Sequence, residues 1–501
     1  MSRKKKIVKN LVSEILPQIL ILFLGLLRSK YYLDYLGSNN VGLVNLFNQI
    51  ISYLSLVEGG IGHAIVYKLY EPISKGYYQK LAELRNGTKK IFNRIILIII
   101  FLSVICGLLI PFLIKNNQFG IFYILINFIL YAISEIILYM TVFERSIYIA
   151  SEKSYKINYV IKTSLIIKYL LQITFSILFQ NLTIIFIALI IVGLLENIII
   201  KVLTKKDFNK LPYTKREDIS FVKEIKNILV HKIAGTVANN IDIVLISKFI
   251  GLNKVLIYST YLMYANSIIS LTNKISQALL GTVGNILVED KKKAYKTFTK
   301  YNGLVFILAI LIAGPFNLLI NYFIKLFYNG KVEVSIITSS LFTLILIYNI
   351  IRLPLITYTE GAGLFKETKI CPIIESIVNL VLSVILVNIL GINGCLLGTV
   401  ISLIISEYFI KPKIIYKNLF DVDVKKYYLI NIKYIILLVL QIVLCYLAYP
   451  YLNVTSFTTF LIYLMVCGIV NLIITLIILK LMKQEYLFDI IKIIIKKMRR
   501  K

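Results

Sequence analysis

The stretch Ile95–Ile114, IILIIIFLSVICGLLIPFLI, contains no charged residue. It is long enough to cross a bilayer as a helix, because a crossing needs about 20 apolar residues. Stretches of this kind recur along the whole chain, which has 501 residues and is 58% hydrophobic. The mean hydropathy of +0.82 is far above that of a soluble domain. The sequence therefore predicts an all-α integral membrane protein.

About fourteen transmembrane helices are predicted, with ends uncertain by about 2–4 residues. They are placed at positions 10–33, 41–66, 91–114, 121–143, 156–178, 183–203, 227–249, 256–282, 301–325, 336–358, 370–389, 394–411, 428–449 and 457–480.

The connectors between these helices alternate in charge. The odd-numbered connectors are short and poor in lysine, whereas the even-numbered connectors and both chain ends are basic. Because positive loops stay on the cytoplasmic side, this alternation places both termini in the cytoplasm. The net charge of +31 then reflects membrane topology and anionic lipid headgroups, not nucleic acid.

The connector at 204–226 divides the chain into blocks. It separates an N-terminal six-helix lobe, 1–203, from a C-terminal six-helix lobe, 227–411, and residues 412–501 add two helices and a basic tail. The two lobes show weak internal similarity, for example between Gly37–Val41 and Gly251–Val255. Parallel repeats of this kind usually enclose a cavity between the halves. Chance similarity in a biased composition is the alternative.

Three regions of the chain resemble a known family. They are Tyr35–Leu43 with Tyr53–Gly62, His231–Gly235 with Asn240–Gly251, and Arg352–Pro354 with Gly361–Thr368 and Pro372–Glu375. Their order is similar to that in the Wzx-like polysaccharide flippases of the O-antigen and capsule type, within the MATE/MOP superfamily.

The resemblance implies a fold, a function and a location. The implied fold is a MATE-like two-lobed bundle of six plus six helices with two C-terminal helices. The implied function is export of an undecaprenyl-pyrophosphate-linked oligosaccharide across the bacterial cytoplasmic membrane by alternating access. The implied partners are this lipid-linked substrate, membrane lipids, and the polysaccharide polymerase and glycosyltransferases. No cofactor and no nucleic acid are expected.

Several cations lie deep in the predicted helices. A charge at mid-bilayer costs about 2.5–3.5 kcal/mol on insertion scales, so it usually faces a cavity or a partner. A cavity lined by such cations could hold a pyrophosphate headgroup, which cannot cross hydrocarbon unaided. The alternative is that they pair internally or snorkel to an interface. The candidate substrate-binding residues are Arg28, Lys168, Lys274 and Arg352, with His231 and Lys232 at the cytoplasmic mouth.

Two acids are candidates for ion coupling. Asp242 and Glu58 lie near the middles of the seventh and second predicted helices. A buried carboxylate can bind and release a proton, or it can coordinate Na⁺. A salt bridge to a nearby basic residue is the structural alternative.

Other functions remain as alternatives. A drug or cation exporter of the same superfamily generally has twelve helices and a carboxylate-rich cavity. A membrane glycosyltransferase or polymerase usually needs a sizeable outer loop, and the predicted outer loops here are short, so we expect no enzyme. The cysteines and two histidines lack metal-ligand spacing, so no metal site is predicted.

Overall fold

The structure is a computed structural model that describes residues 3–58, 61–224 and 241–481. Within these ranges the regular elements are helices, and no strand is present. The α-helices are α1 (Arg3–Leu36), α2 (Ser38–Leu54), α3 (Ile61–Lys75), α4 (Tyr78–Leu109), α5 (Ile121–Ile136), α6 (Val142–Ala150), α7 (Ser154–Leu178), α8 (Leu182–Asp207), α9 (241–249), α10 (Leu252–Glu289), α11 (Lys291–Phe327), α12 (Ile336–Ile351), α13 (Leu353–Gly361), α14 (Phe365–Thr368), α15 (Ile370–Leu390), α16 (Ile392–Leu403), α17 (Lys411–Leu419), α18 (Lys425–Ala448) and α19 (Phe457–Leu481).

Twelve helical segments of the described chain are long and apolar enough to cross a membrane. The prediction of an all-α membrane protein is therefore confirmed. The twelve segments match twelve of the fourteen predicted helices. Of the other two, 10–33 lies within α1, and 227–249 begins in residues outside the described ranges. The total of fourteen stays a prediction.

The chain forms two compact units, Met1–Leu256 and Ile257–Lys501. In the first unit, α7 and α8 pack side by side, α1 packs on α7, and α5 packs on both α4 and α8. In the second unit, α15 packs on α16, and α11 contacts α12, α18 and α19. Residues 241–256 belong to the first unit, and the lobe boundary at 204–226 stays a prediction.

Residues around α9 are held in the first unit by contacts with the turn after α4. The backbone N–H of Lys115 donates to the carbonyl of Ser247 over 3.0 Å, and the Ser247 hydroxyl donates to the Leu113 carbonyl over 2.7 Å. Gly42 also touches the chain here, since a Cβ at Gly42 would lie 2.3 Å from the Leu252 carbonyl oxygen. Only glycine at this position permits such a close approach.

Left-handed turns recur with the same spacing in the two halves of the sequence. Besides Gly76 and Asn329, which have no counterpart of this kind, they are at Gly37, Asn116, Glu152 and Gln180 in the first half and at Gly251, Gly330, Gly363 and Gly391 in the second. The separation along the chain between Gly37 and Asn116 equals that between Gly251 and Gly330. The separation between Glu152 and Gln180 likewise equals that between Gly363 and Gly391. A duplicated six-helix block would produce this correspondence.

The long helix α11 of the second unit has a proline in its interior. Pro315 has no backbone N–H, so it leaves the Leu311 carbonyl without its usual helical donor. The Asn471 side chain of α19 donates to that carbonyl over 3.1 Å. Gln441 of α18 donates to the neighbouring Ile310 carbonyl over 3.0 Å. The two C-terminal helices therefore satisfy the backbone carbonyls beside Pro315.

Residues 214–224 follow α8 and lie across the end of α4. Asn86 donates to the carbonyl of Thr214 over 2.6 Å, and a Cβ at Gly87 would lie 1.9 Å from the Asp218 carbonyl oxygen. Asp218 also accepts from Lys80 over 2.8 Å. Burial alone would raise the pKa of Asp218, but the hydrogen bonds from Lys80 and Ser220 hold this pKa below its ordinary value. We call residues 214–224 the strap.

Candidate functional site

Arg28 projects from α1 toward two aromatic rings. Its guanidinium carbon lies 5.6 Å from the ring centre of Tyr32 and 5.4 Å from that of Tyr169 on α7. One terminal nitrogen lies 3.4 Å from the Gln172 amide oxygen, which also accepts from the Tyr32 hydroxyl over 3.0 Å. The Arg28 Nε is buried and donates to no group of the described residues. The guanidinium thus keeps unused donors inside a membrane-spanning bundle.

Lys168 lies on α7, next to the tyrosine that contacts Arg28. Its ammonium reaches across Gly193 of α8, where a Cβ would lie 3.8 Å from Lys168 Nζ and 2.8 Å from a methyl group of Ile137. Gly193 therefore leaves room for the ammonium close to the end of α5. Lys168 forms no ion pair with the residues that the structure describes.

Glu135 lies near the end of α5 and interacts electrostatically with Lys168 and Arg28. At 100° per residue it lies on the side opposite Phe122 and Ile126, the exposed apolar face of this helix. Even so, the Glu135 side chain is accessible. An accessible carboxylate on the packed side of a spanning helix borders an open space. We call Arg28, Glu135 and Lys168 the open cluster.

The candidate coupling acids lie elsewhere in the first unit. Glu58, in a short 3₁₀ turn after α2, is hydrogen-bonded to the Tyr139 hydroxyl. Asp242 of α9 is only 4% exposed and lies in electrostatic contact with Tyr53 of α2. Both acids therefore lie near tyrosine hydroxyls.

Three other candidate cations lie outside the described residues of the first unit. Lys274 is exposed on α10 and belongs to the second unit. His231 and Lys232 lie outside the described residues.

Arg352 lies in the second unit, at the break between α12 and α13. It interacts electrostatically with two carboxylates, Glu375 and Glu407, which are 5% and 4% exposed. Glu407 lies in a π-helical turn, Ile404–Ile410, and pairs with Lys411 over 2.9 Å. Ser406 donates to Glu375 over 3.2 Å. Two buried acids therefore balance two bases, and we call these four charged residues the closed cluster.

A related buried pair lies at the matching place in the first half. Glu196, which is 4% exposed, accepts from Arg145 over 2.7 Å and from Ser164 over 2.6 Å. Glu196 follows the left-handed Gln180 by the same interval at which Glu407 follows Gly391. Ser164 precedes Gln180 by the same interval at which Glu375 precedes Gly391. The repeats therefore share a buried carboxylate but balance its charge differently.

Sequence reasoning assigned no role to Glu135, an acid within the predicted helix 121–143. It also missed Tyr169 and Gln172, which surround the guanidinium of Arg28. An acid within an apolar span is a signal that a sequence can show. The neighbouring tyrosine and glutamine carry no such signal.

No family model and no curated protein matches the sequence. Among solved structures, the lipid II flippase MurJ in an inward closed conformation is 17% identical, with a TM-score of 0.70, and the match covers 93% of this chain and 98% of that one. An inward-facing multidrug resistance MATE transporter of the MOP superfamily is 13% identical, with a TM-score of 0.61, covering 79% and 96%.

A third solved structure has the same architecture. It is a MOP-superfamily transporter from Pyrococcus furiosus, 13% identical with a TM-score of 0.52, covering 81% of this chain and 93% of that one. The fold of this chain is the MATE- and MurJ-like fold. The prediction of that fold class is confirmed, and the proteins named here that share it are a flippase and transporters, not enzymes.

Proposed function

We propose that this protein is a flippase that carries an undecaprenyl-pyrophosphate-linked oligosaccharide across the bacterial cytoplasmic membrane by alternating access. The observation that supports this most is the open cluster. Arg28 keeps an unused donor, and Lys168 forms no ion pair with the described residues, next to an accessible space. Guanidinium and ammonium groups so placed could replace the water around a pyrophosphate. Both termini would then be cytoplasmic, as the basic connectors indicate.

Within this proposal the cations have different tasks. Arg28 and Lys168 would hold the headgroup, and Lys274 is proposed as a further headgroup contact on sequence grounds alone. His231 and Lys232 are proposed as contacts at the cytoplasmic mouth on sequence grounds alone. We assign Arg352 a structural task, because it interacts electrostatically with the buried carboxylates of Glu375 and Glu407.

The test is flipping in proteoliposomes. Labelled polyprenyl-pyrophosphate oligosaccharide is incorporated, and its movement between leaflets is followed with and without the purified protein. We expect Arg28→Ala and Lys168→Met to slow this movement strongly. Unchanged rates in both variants would contradict a headgroup site at the open cluster.

Ion coupling is tested in the same vesicles. We propose that Glu58 or Asp242 couples flipping to an H⁺ or Na⁺ gradient. Imposing each gradient separately should accelerate the wild type with one ion. Asp242→Asn or Glu58→Gln should then remove the response to that ion. If both variants keep the full response, neither acid couples transport to the gradient.

A MATE-type drug or cation antiporter is the second candidate. The accessible carboxylate of Glu135 favours it, since a carboxylate in an open space can receive a cation. The discriminating measurement is efflux of a cationic dye from vesicles. Dye efflux that is abolished by Glu135→Gln, without any lipid flipping, would favour the antiporter.

A further inference from the structure

We propose that Glu135 is an internal counter-ion that competes with the anionic headgroup of the cargo for Arg28 and Lys168. This inference rests on the proposed flippase function and adds a residue that limits how tightly the cargo is held.

The first support is the placement of the three groups. Lys168 Nζ reaches across Gly193 to the end of α5, close to Ile137, two residues beyond Glu135. Arg28 stacks against Tyr169, the residue that follows Lys168. Glu135 is in electrostatic contact with both cations, and Lys168 has the larger effect on it.

The second support is that this carboxylate forms no direct ion pair. Glu135 has neither a salt bridge nor a hydrogen bond with the described residues, and it is accessible. Glu196, an acid that joins helices, differs from Glu135 in both respects. It is 4% exposed and accepts hydrogen bonds from Arg145 and Ser164. Glu135 therefore neutralises charge without locking the helices together.

The third support comes from what transport needs. A site that carries cargo must bind it well enough to load and weakly enough to release it, as in ion conduction. Two unopposed cations in a low-dielectric space would hold a pyrophosphate very tightly. A carboxylate that returns to the cations as the headgroup departs lowers this affinity and favours release.

The test is the affinity of the purified full-length protein for farnesyl pyrophosphate, a soluble polyprenyl pyrophosphate, in detergent or nanodiscs. We expect Glu135→Gln to lower Kd at least about fivefold, the lower end of typical coupling between sites. Glu135→Ala should change Kd in the same direction, which guards against an effect of the new amide. Farnesol, which lacks the charge, should show no gain.

Two further variants make the result specific. Glu71→Gln removes an acid from an exposed surface pair with Lys75 and should leave Kd unchanged. In a Lys168→Met background the gain from Glu135→Gln should shrink, because a double-mutant cycle reports direct coupling. A purely structural role for Glu135 would leave affinity unchanged or lower it on substitution.

The outcomes separate the two proposals. If Arg28→Ala weakens binding but Glu135→Gln and Glu135→Ala bind equally or less tightly, the counter-ion role is wrong and the headgroup site stands. If farnesyl pyrophosphate binds neither the wild type nor any variant, the headgroup site is wrong, and the counter-ion role falls with it.

Discussion

The open and closed clusters contain the same kinds of side chain but use them differently. In the closed cluster, Glu407 and Lys411 are in direct contact, and both side chains are nearly inaccessible, at 5% and 11%. In the open cluster, Glu135 forms no ion pair or hydrogen bond with the described residues and stays accessible. Pairing and burial thus distinguish charges that hold helices together from charges that are available to a ligand. Depth in the membrane does not distinguish them.

The largest expected effect comes from breaking the closed cluster. Glu407→Ala should lower the free energy of unfolding by about 3–5 kcal/mol, because it leaves Lys411 and Arg352 with one carboxylate instead of two. The measurement is the thermal midpoint of the purified protein in detergent. Glu289→Ala is the matched control, since its pair with Lys293 is exposed and worth little. Equal midpoints for the two variants would mean that the closed cluster does not stabilise the fold.

The second prediction exchanges the two arginines for methionine. Arg28→Met should weaken binding of farnesyl pyrophosphate about tenfold, since a charged hydrogen bond is worth roughly 1.5–3 kcal/mol. Its thermal midpoint should stay close to that of the wild type. Arg352→Met should do the reverse, lowering the midpoint while affinity is kept. If Arg352→Met weakens binding as much as Arg28→Met does, Arg352 belongs to the headgroup site.

This contrast also shows what the sequence could predict. The apolar spans and the depth of each charge follow from composition along the chain, so the helical membrane fold was predicted correctly. Which charges meet depends on how each helix is rotated and on which helices are neighbours. Arg352, Glu375 and Glu407 come from three separate helical segments. Their association therefore could not be read from one-dimensional spacing.

The repeats add a second lesson. The correspondence between Gly37 and Gly251 is visible in sequence, because both residues are glycine. The matching turns at Glu152 and Gly363 are not, since a non-glycine residue adopts the left-handed conformation in one copy. At this pair of positions the two halves share a backbone conformation but not a residue type.

A third prediction concerns buried backbone carbonyls of the second unit that accept a hydrogen bond from a side chain. Asn471→Ala removes the side-chain donor to the Ile310 and Leu311 carbonyls beside Pro315. Leaving a buried carbonyl unpaired should cost about 1–2 kcal/mol. The thermal midpoint again reports this, and Gly468→Ala on the same helix is the control, because its added Cβ meets open space. If the thermal midpoint of Asn471→Ala is as high as that of Gly468→Ala, α11 does not need this donor beside Pro315.

The smallest effect is expected at the strap, which holds by close backbone approach and not by buried charge. Gly87→Ala would place a methyl group 1.9 Å from the Asp218 carbonyl oxygen, so the strap must move away from α4. Trypsin should then cleave faster after Lys215 or Arg216, while the thermal midpoint changes little. The control is Gly120→Ala, where nothing lies within 4 Å of the added Cβ.

Because the pKa of Asp218 is lowered, its ion pair with Lys80 is fully formed at neutral pH and is lost only as the pH falls below the ordinary pKa range of an aspartate. Unchanged cleavage of Gly87→Ala at pH 7–8 would therefore mean that this ion pair, and not the close approach at Gly87, fixes the strap.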